Sequence, residues 1–127
     1  MMFDVEGFFR AVLEQNEVAL RSFFKPDAAV RWHCSNECFT VDEYIRANCE
    51  YPGRWLGELE RLERVGELII AAARVWPTDC SASFHVCSFI RLDGGQIAEL
   101  DEYWADDGPA PDWRREMNIG KAIRLEE

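Results

Sequence analysis

The stretch Phe84-His85-Val86-Cys87-Ser88-Phe89-Ile90-Arg91-Leu92-Asp93-Gly94-Gly95-Gln96-Ile97-Ala98-Glu99-Leu100-Asp101-Glu102-Tyr103-Trp104 decides the fold. Two runs rich in apolar, aromatic and β-branched residues flank Asp93-Gly94-Gly95-Gln96, the composition of strands around a tight turn. Adjacent glycines supply the positive φ that a two-residue hairpin turn requires. A strand over Ser83–Leu92 and a returning strand over Ile97–Trp104 follow. Upstream, Leu68–Trp76 is apolar and β-branched and reads as a further strand, with Pro77–Ser81 as the turn between. Gly57–Val65 has a helix-favouring composition. Gly57 and Gly66 bracket it, however, and the hairpin needs a neighbour, so it is assigned as a strand.

The first half carries a different period. Phe8, Phe9, Val12 and Leu13 recur at helical spacing after Asp4, a candidate N-cap. Asn16 can cap a second short helix, Glu17–Phe24, which Lys25-Pro26 ends because the residue before proline disfavours the helical region. Ala28–Cys34 then alternates Val30, Trp32 and Cys34 against Arg31 and His33, as a strand does. Thr40-Val41-Asp42-Glu43 is a capping box. It opens a third helix that buries Val41, Tyr44 and Ile45 and stops before Pro52-Gly53. Helices first and antiparallel strands after is an α+β order. The expectation is one domain over residues 1–127, with three N-terminal helices on a strongly curved, mostly antiparallel sheet. Together they form a cone with a pocket.

Composition narrows the functions. The 127 residues are 48% hydrophobic and 13% aromatic, enough to fill a core and still line a cavity. A formal charge of −10 speaks against nucleic acid and anionic membrane surfaces as partners. Met1-Met2-Phe3-Asp4-Val5-Glu6-Gly7 lacks a positive n-region, which predicts no signal peptide and a cytoplasmic protein. Five cysteines, an odd number, make a disulfide framework an unsuitable reading. Cys34-x-x-x-Cys38 beside His33 is a single metal-like pair, with only His85 and Cys87 as further candidates. Structural zinc needs two well-spaced pairs, so no metal and no cofactor are expected.

Taken together, the Phe24-Lys25-Pro26-Asp27-Ala28-Ala29-Val30 junction, the capped third helix and the closing Asp93-Gly94-Gly95-Gln96-Ile97 with Glu102-Tyr103-Trp104 resemble the SnoaL-like branch of the nuclear transport factor two-like superfamily. That resemblance implies the cone fold and a homodimeric habit. It also implies a pocket that in ketosteroid isomerases, limonene epoxide hydrolases and polyketide cyclases carries chemistry, and in other members only binding. The isomerase base falls at Trp32 and the isomerase tyrosine at Phe8 or Phe9, so neither group survives here. The epoxide-hydrolase carboxylate falls at Glu102 and its arginine at Arg74, whereas its second aspartate falls near Trp76.

A two-residue turn pairs Asp93 with Gln96 and, by unbroken alternation, Cys87 with Glu102, His85 with Trp104 and Phe89 with Leu100. The resemblance turns Leu100, Glu102 and Trp104 into the cone, and this register adds His85, Cys87 and Phe89. A bulge near the turn would instead bring in Phe84, Val86 and Ser88. Glu102, partnered by His85, is the candidate general acid/base, because burial among aromatics raises a carboxyl pKa. Trp32, Trp104, Leu100, Phe89, Cys87 and Tyr44 are the candidate ligand-binding residues.

Three readings stand. The first is a pocket protein for an apolar or aromatic small organic molecule. The second is a cofactor-free isomerase, cyclase, dehydratase or hydrolase using Glu102, and the third a protein–protein interaction module. An apolar outer strand face of Phe84, Val86 and Ile90 is the expected homodimer contact.

Overall fold

The computed structural model describes residues 2–124. Met1, the first residue of the stretch expected to carry no signal peptide, and residues 125–127 of the expected 1–127 domain lie outside them.

The helices begin where side chains replace missing backbone acceptors. Before α1 (Val5–Glu14), Asp4 accepts from Gly7 N–H at 2.9 Å; before α2 (Glu17–Ser22), Asn16 accepts from Ala19 N–H at 3.1 Å. The box opening α3 (Val41–Cys49) is complete. Glu43 N–H donates to Thr40 Oγ1 at 3.2 Å, and Thr40 N–H donates to Glu43 Oε1 at 2.9 Å. Thr40→Ala is therefore expected to cost about 1 kcal/mol in urea denaturation. An unchanged midpoint would mean that packing alone holds α3.

Six strands form one sheet in the order β2-β1-β6-β5-β4-β3. They are β1 (Phe24–Trp32), β2 (Glu37–Thr40), β3 (Trp55–Val65), β4 (Leu68–Pro77), β5 (Phe84–Asp93) and β6 (Gln96–Asp106). Every neighbouring pair is antiparallel except β1 and β6, which run parallel. The fold is thus α+β, an open mixed sheet packed by helices. A fourth short helix, α4 (Asp112–Glu116), buries nothing. Among the described residues no helix is long and apolar enough to cross a membrane.

Inside the curve, Val5, Phe8 and Ala11 of α1, Leu20 of α2, and Val41, Tyr44 and Ile45 of α3 are buried against Val30, Ile69, Ile90, Ile97 and Leu100. Phe3, Phe8, Phe23 and Phe24 tile this core with ring centroids 5.6 to 6.1 Å apart.

Strand bounds differ from expectation around Pro26. α2 ends at Ser22 rather than Phe24, and β1 begins at Phe24 rather than Ala28. Its pairing with β6 jumps from Phe24–Ile97 to Ala29–Glu99, so Pro26 sits where no ladder bond is asked of it. The short edge strand β2, which pairs with the end of β1, was not expected from the sequence.

The hairpin register also needs correction. Gly94 and Gly95 take φ of 62° and 84°, and Asp93 does pair with Gln96. Leu92 then pairs with Ile97 but Arg91 with Glu99, which leaves Ala98 as an extra residue on β6. The cause lies in burial: Ile97 and Leu100, an odd number of residues apart, are both 0% exposed, which strict alternation forbids. Every later pair shifts. Ser88 rather than Cys87 faces Glu102, Val86 rather than His85 faces Trp104, and Ile90 rather than Phe89 faces Leu100. A second irregularity leaves Glu60 unpaired between Leu59–Ala73 and Arg61–Ala72. Bulges strengthen local twist, and these help to curl the sheet around the helices.

Candidate functional site

Glu102 lies on the inner face of β6, 5% exposed, and its neighbours follow from the ladder. Ser88 stands across from it on β5, Trp32 across from it on β1, and Trp104 two residues further along the same face. All three donate to its carboxylate. Ser88 Oγ–H reaches Oε2 at 2.6 Å, while Trp32 Nε1–H and Trp104 Nε1–H converge on Oε1 at 3.1 and 3.2 Å. Burial pushes the Glu102 carboxyl above its usual range, opposed by the three donors, which favour the charged form. The buried Tyr44 phenol is pushed well above its usual range, first by burial and then by the Glu102 charge. Tyr44 packs edge-on to Trp32 at 6.2 Å and belongs to the core.

Both indoles also line a cavity of about 360 Å³ that opens between α1, the end of α3 and the sheet. Trp32, Tyr51, Trp55, Phe84 and Trp104 are its aromatic lining, with Val12, Leu13, Ala47 and Val75 as aliphatic lining. Tyr51 and Trp55 lie 5.4 Å apart, Trp55 and Phe84 5.9 Å, and Trp32 and Trp104 6.5 Å. Glu102 does not line this cavity. It borders a smaller space of about 30 Å³ with Ser88, Phe8, Phe9, Val12 and Trp104. Trp104 and Val12, which line both spaces, are therefore the partition between the carboxylate and the larger cavity.

Of the expected site residues, the structure brings together Glu102, Trp32 and Trp104. Leu100 is buried core and does not line the cavity. His85, Cys87 and Phe89 are turned to the outer face by the Ala98 bulge, contrary to expectation. There His85 Nε2 approaches Glu60 Oε1 at 3.2 Å and its Nδ1 bonds Asp107, far from any partnership with Glu102. Cys87 pairs with Tyr103, and Phe89 meets the same ring edge-on at 6.0 Å. Arg74 is likewise outward, between Glu58 and Glu60 and over Trp76 at 4.3 Å, so no arginine accompanies Glu102 as in the epoxide-hydrolase pattern. Phe84, Val86 and Ile90, expected outside, face inward; the outer face instead shows Ile70, Ala72, Cys87, Phe89 and Tyr103. Ser88, Tyr51, Trp55 and Asp106 were missed. Only Ser88 had a signal, as the residue that a bulge would bring in. Among the described residues no group of three or more His, Cys, Asp and Glu could hold a metal ion, and Cys34 and Cys38 are exposed.

No protein-family model matches the sequence, and no curated protein matches it. Solved structures do. A candidate ketosteroid isomerase from Kribbella flavida is 17% identical, covers 96% of this chain and 88% of its own, and superposes with a TM-score of 0.78. An NTF-2 like protein of unknown function from Burkholderia xenovorans is 18% identical over 93% of this chain and 91% of its own, TM-score 0.75. A protein with a ketosteroid isomerase-like fold from Catenulispora acidiphila, in complex with trimethylamine, is 16% identical over 78% and 82%, TM-score 0.66. The chain has the fold of the nuclear transport factor two-like superfamily.

Proposed function

We propose that this chain is a small-molecule-binding pocket protein whose ligand has an apolar or aromatic body. The observation that carries the reading is the open cavity of about 360 Å³ with five aromatic rings in its lining. Cavities of this size and apolar lining bury most of a small organic ligand. The Catenulispora neighbour, which holds trimethylamine, lends further support. The unfilled cone weighs against a purely protein–protein module. A cytoplasmic homodimer, using the outer face around Ile70, Phe89 and Tyr103, belongs to the same reading.

Catalysis is the second reading, favoured by one observation. Glu102 and Ser88 border a space of about 30 Å³, room for about one water, and burial has raised the carboxyl toward the range of a general acid/base. A substrate in the large cavity would reach that group only past Trp104 and Val12.

The neutral planar probe N-phenyl-1-naphthylamine tests the pocket. It is expected to quench tryptophan fluorescence saturably. Trp32→Phe and Trp104→Phe should each change the quenching amplitude, and Ala47→Phe, which fills the cavity, should abolish it. Quenching indifferent to all three substitutions would sink the shared-cavity reading.

A further inference from the structure

The cavity's polarity is lopsided. Its lining contains no lysine or arginine, and its one charged side chain is Asp106. Asp106 stands across from Phe84 in the ladder and on the same side of β6 as Trp104, two residues back. Among the described residues it makes no ion pair, whereas other acids of the sheet and its end are engaged: Asp107 with His85, Glu60 with His85 and Arg74, Asp101 with Arg31 and His33. A free carboxylate at the end of an aromatic-lined cavity is an electrostatic feature that no protein partner consumes.

The rings add to it. An aromatic face carries the negative lobe of the ring quadrupole and attracts cations, tryptophan most strongly. Trp32 and Trp104 direct their N–H groups at one oxygen of Glu102, so their positive edges point away from the cavity they line. A carboxylate accepting those hydrogen bonds also polarises the indoles, pushing electron density toward the rings. Trp55 Nε1–H is similarly occupied, donating to the Pro52 carbonyl at 3.1 Å. Three indoles thus line the cavity with their donors spent elsewhere, so what they offer a guest is ring face, beside Asp106 as the one charged group and the uncharged polar side chains Gln15, Ser35 and Asn48.

The geometry points to a cationic ligand: we infer that the cavity takes an alkyl- or aryl-ammonium compound, its charged nitrogen between the aromatic rings and Asp106. This rests on the pocket reading and sharpens it. A neutral guest would gain burial and hydrogen bonds but no charge partner, and an anion would face Asp106 with no lysine or arginine in the lining to compensate it. The formal charge of −10 further favours attraction of cations into the mouth.

The test uses three probes titrated by calorimetry into the full chain: benzyltrimethylammonium, its uncharged carbon isostere neopentylbenzene, and phenylacetate. The cation is expected to bind at least tenfold more tightly than the isostere, with phenylacetate weakest. Asp106→Asn and Trp55→Leu should each cut that preference severalfold, and Ala47→Phe should remove binding. Asp106 sits exposed near a strand end, so the asparagine variant leaves the fold undisturbed. Equal or tighter binding of the isostere would overturn the cation inference and leave the pocket reading in place. So would a preference that survives Asp106→Asn and Trp55→Leu unchanged. If none of the three probes binds and N-phenyl-1-naphthylamine also fails to quench, both readings fall together. If only the naphthylamine binds, the cation inference alone is lost.

Discussion

Glu102→Gln is expected to fold and to be more stable than the natural chain near neutral pH, whereas Glu102→Leu should lose on the order of 3–5 kcal/mol. The asymmetry comes from the donors. In the glutamine variant the side-chain oxygen takes the Oε1 position and accepts from Trp32 and Trp104. The amide nitrogen takes the Oε2 position and donates to Ser88 Oγ, which can accept as well as donate. Leucine keeps the volume but removes the acceptor that two indole N–H groups and a hydroxyl share.

The pH dependence has a definite sign. Burial raises the Glu102 carboxyl in the folded state, so between its unfolded value of about 4.3 and the higher folded value the native protein holds more protons than the unfolded chain. Stability from this group is then fully present below about pH 4.3 and is lost as pH rises through the folded pKa. The glutamine variant removes that loss. Its advantage should be smallest in acid, grow through the window and level off above it, as read from urea midpoints across pH. A difference that shrinks with rising pH would show that the three donors outweigh burial. Glu102 would then be a fixed anion that orients the tryptophans, and the acid/base reading would be excluded. If Glu102→Gln retains binding of N-phenyl-1-naphthylamine, the group positions the wall without titrating into the ligand. The natural chain would then be a binder in which the indoles, not the carboxyl, meet the guest.

How far the sequence reveals this site depends on which interactions are local. Caps are legible because their partners sit three residues apart: Asp4, Asn16 and the Thr40–Glu43 box are all where the sequence puts them. The Gly94-Gly95 turn is legible for the same reason. The register beyond it is not, since one extra residue at Ala98 is chosen by the core and not by the turn. Burying both Ile97 and Leu100 outweighs keeping an unbroken ladder. That single residue moves His85, Cys87 and Phe89 outside and brings Ser88 under Glu102. The sequence still carried a hint, because Ile97 and Leu100, both apolar, are separated by an odd step. The cavity wall was harder. Tyr51 and Trp55 flank Pro52-Gly53, in a connection whose path depends on how α3 meets β3. Nothing within those five residues announces a lining role.

Gly57 shows the same point from the other direction, since the sequence offers it as a boundary and the structure places it inside β3, third from the start. It is needed there because α1 crosses directly over it. A methyl group at this position would stand 2.8 Å from Phe9 Cζ, 3.0 Å from Leu13 Cδ2 and 3.1 Å from the Arg74 carbonyl oxygen. The Arg74 carbonyl, held in the β3–β4 ladder, keeps the methyl from settling into the sheet, so the closer contacts with Phe9 and Leu13 are relieved by those side chains, and α1 with them, moving outward. Gly57→Ala is expected to cost about 1–3 kcal/mol and Gly57→Val more, the scale of overpacking in a dense interior. Function should suffer alongside stability. Leu13 and Val75, the latter paired with Gly57, both line the large cavity, so a displaced helix deforms its wall. Affinity for N-phenyl-1-naphthylamine should fall at least tenfold at a temperature where the variant remains folded by circular dichroism. Gly66→Ala is the control. A methyl there meets nothing within 4 Å, but the backbone φ of +60° is left-handed, so about 1 kcal/mol is lost through the backbone alone and probe binding stays unchanged. Should Gly57→Ala keep both its stability and its affinity, α1 does not rest on the sheet at this point. The cavity would then owe its shape to α3 and the tryptophans alone.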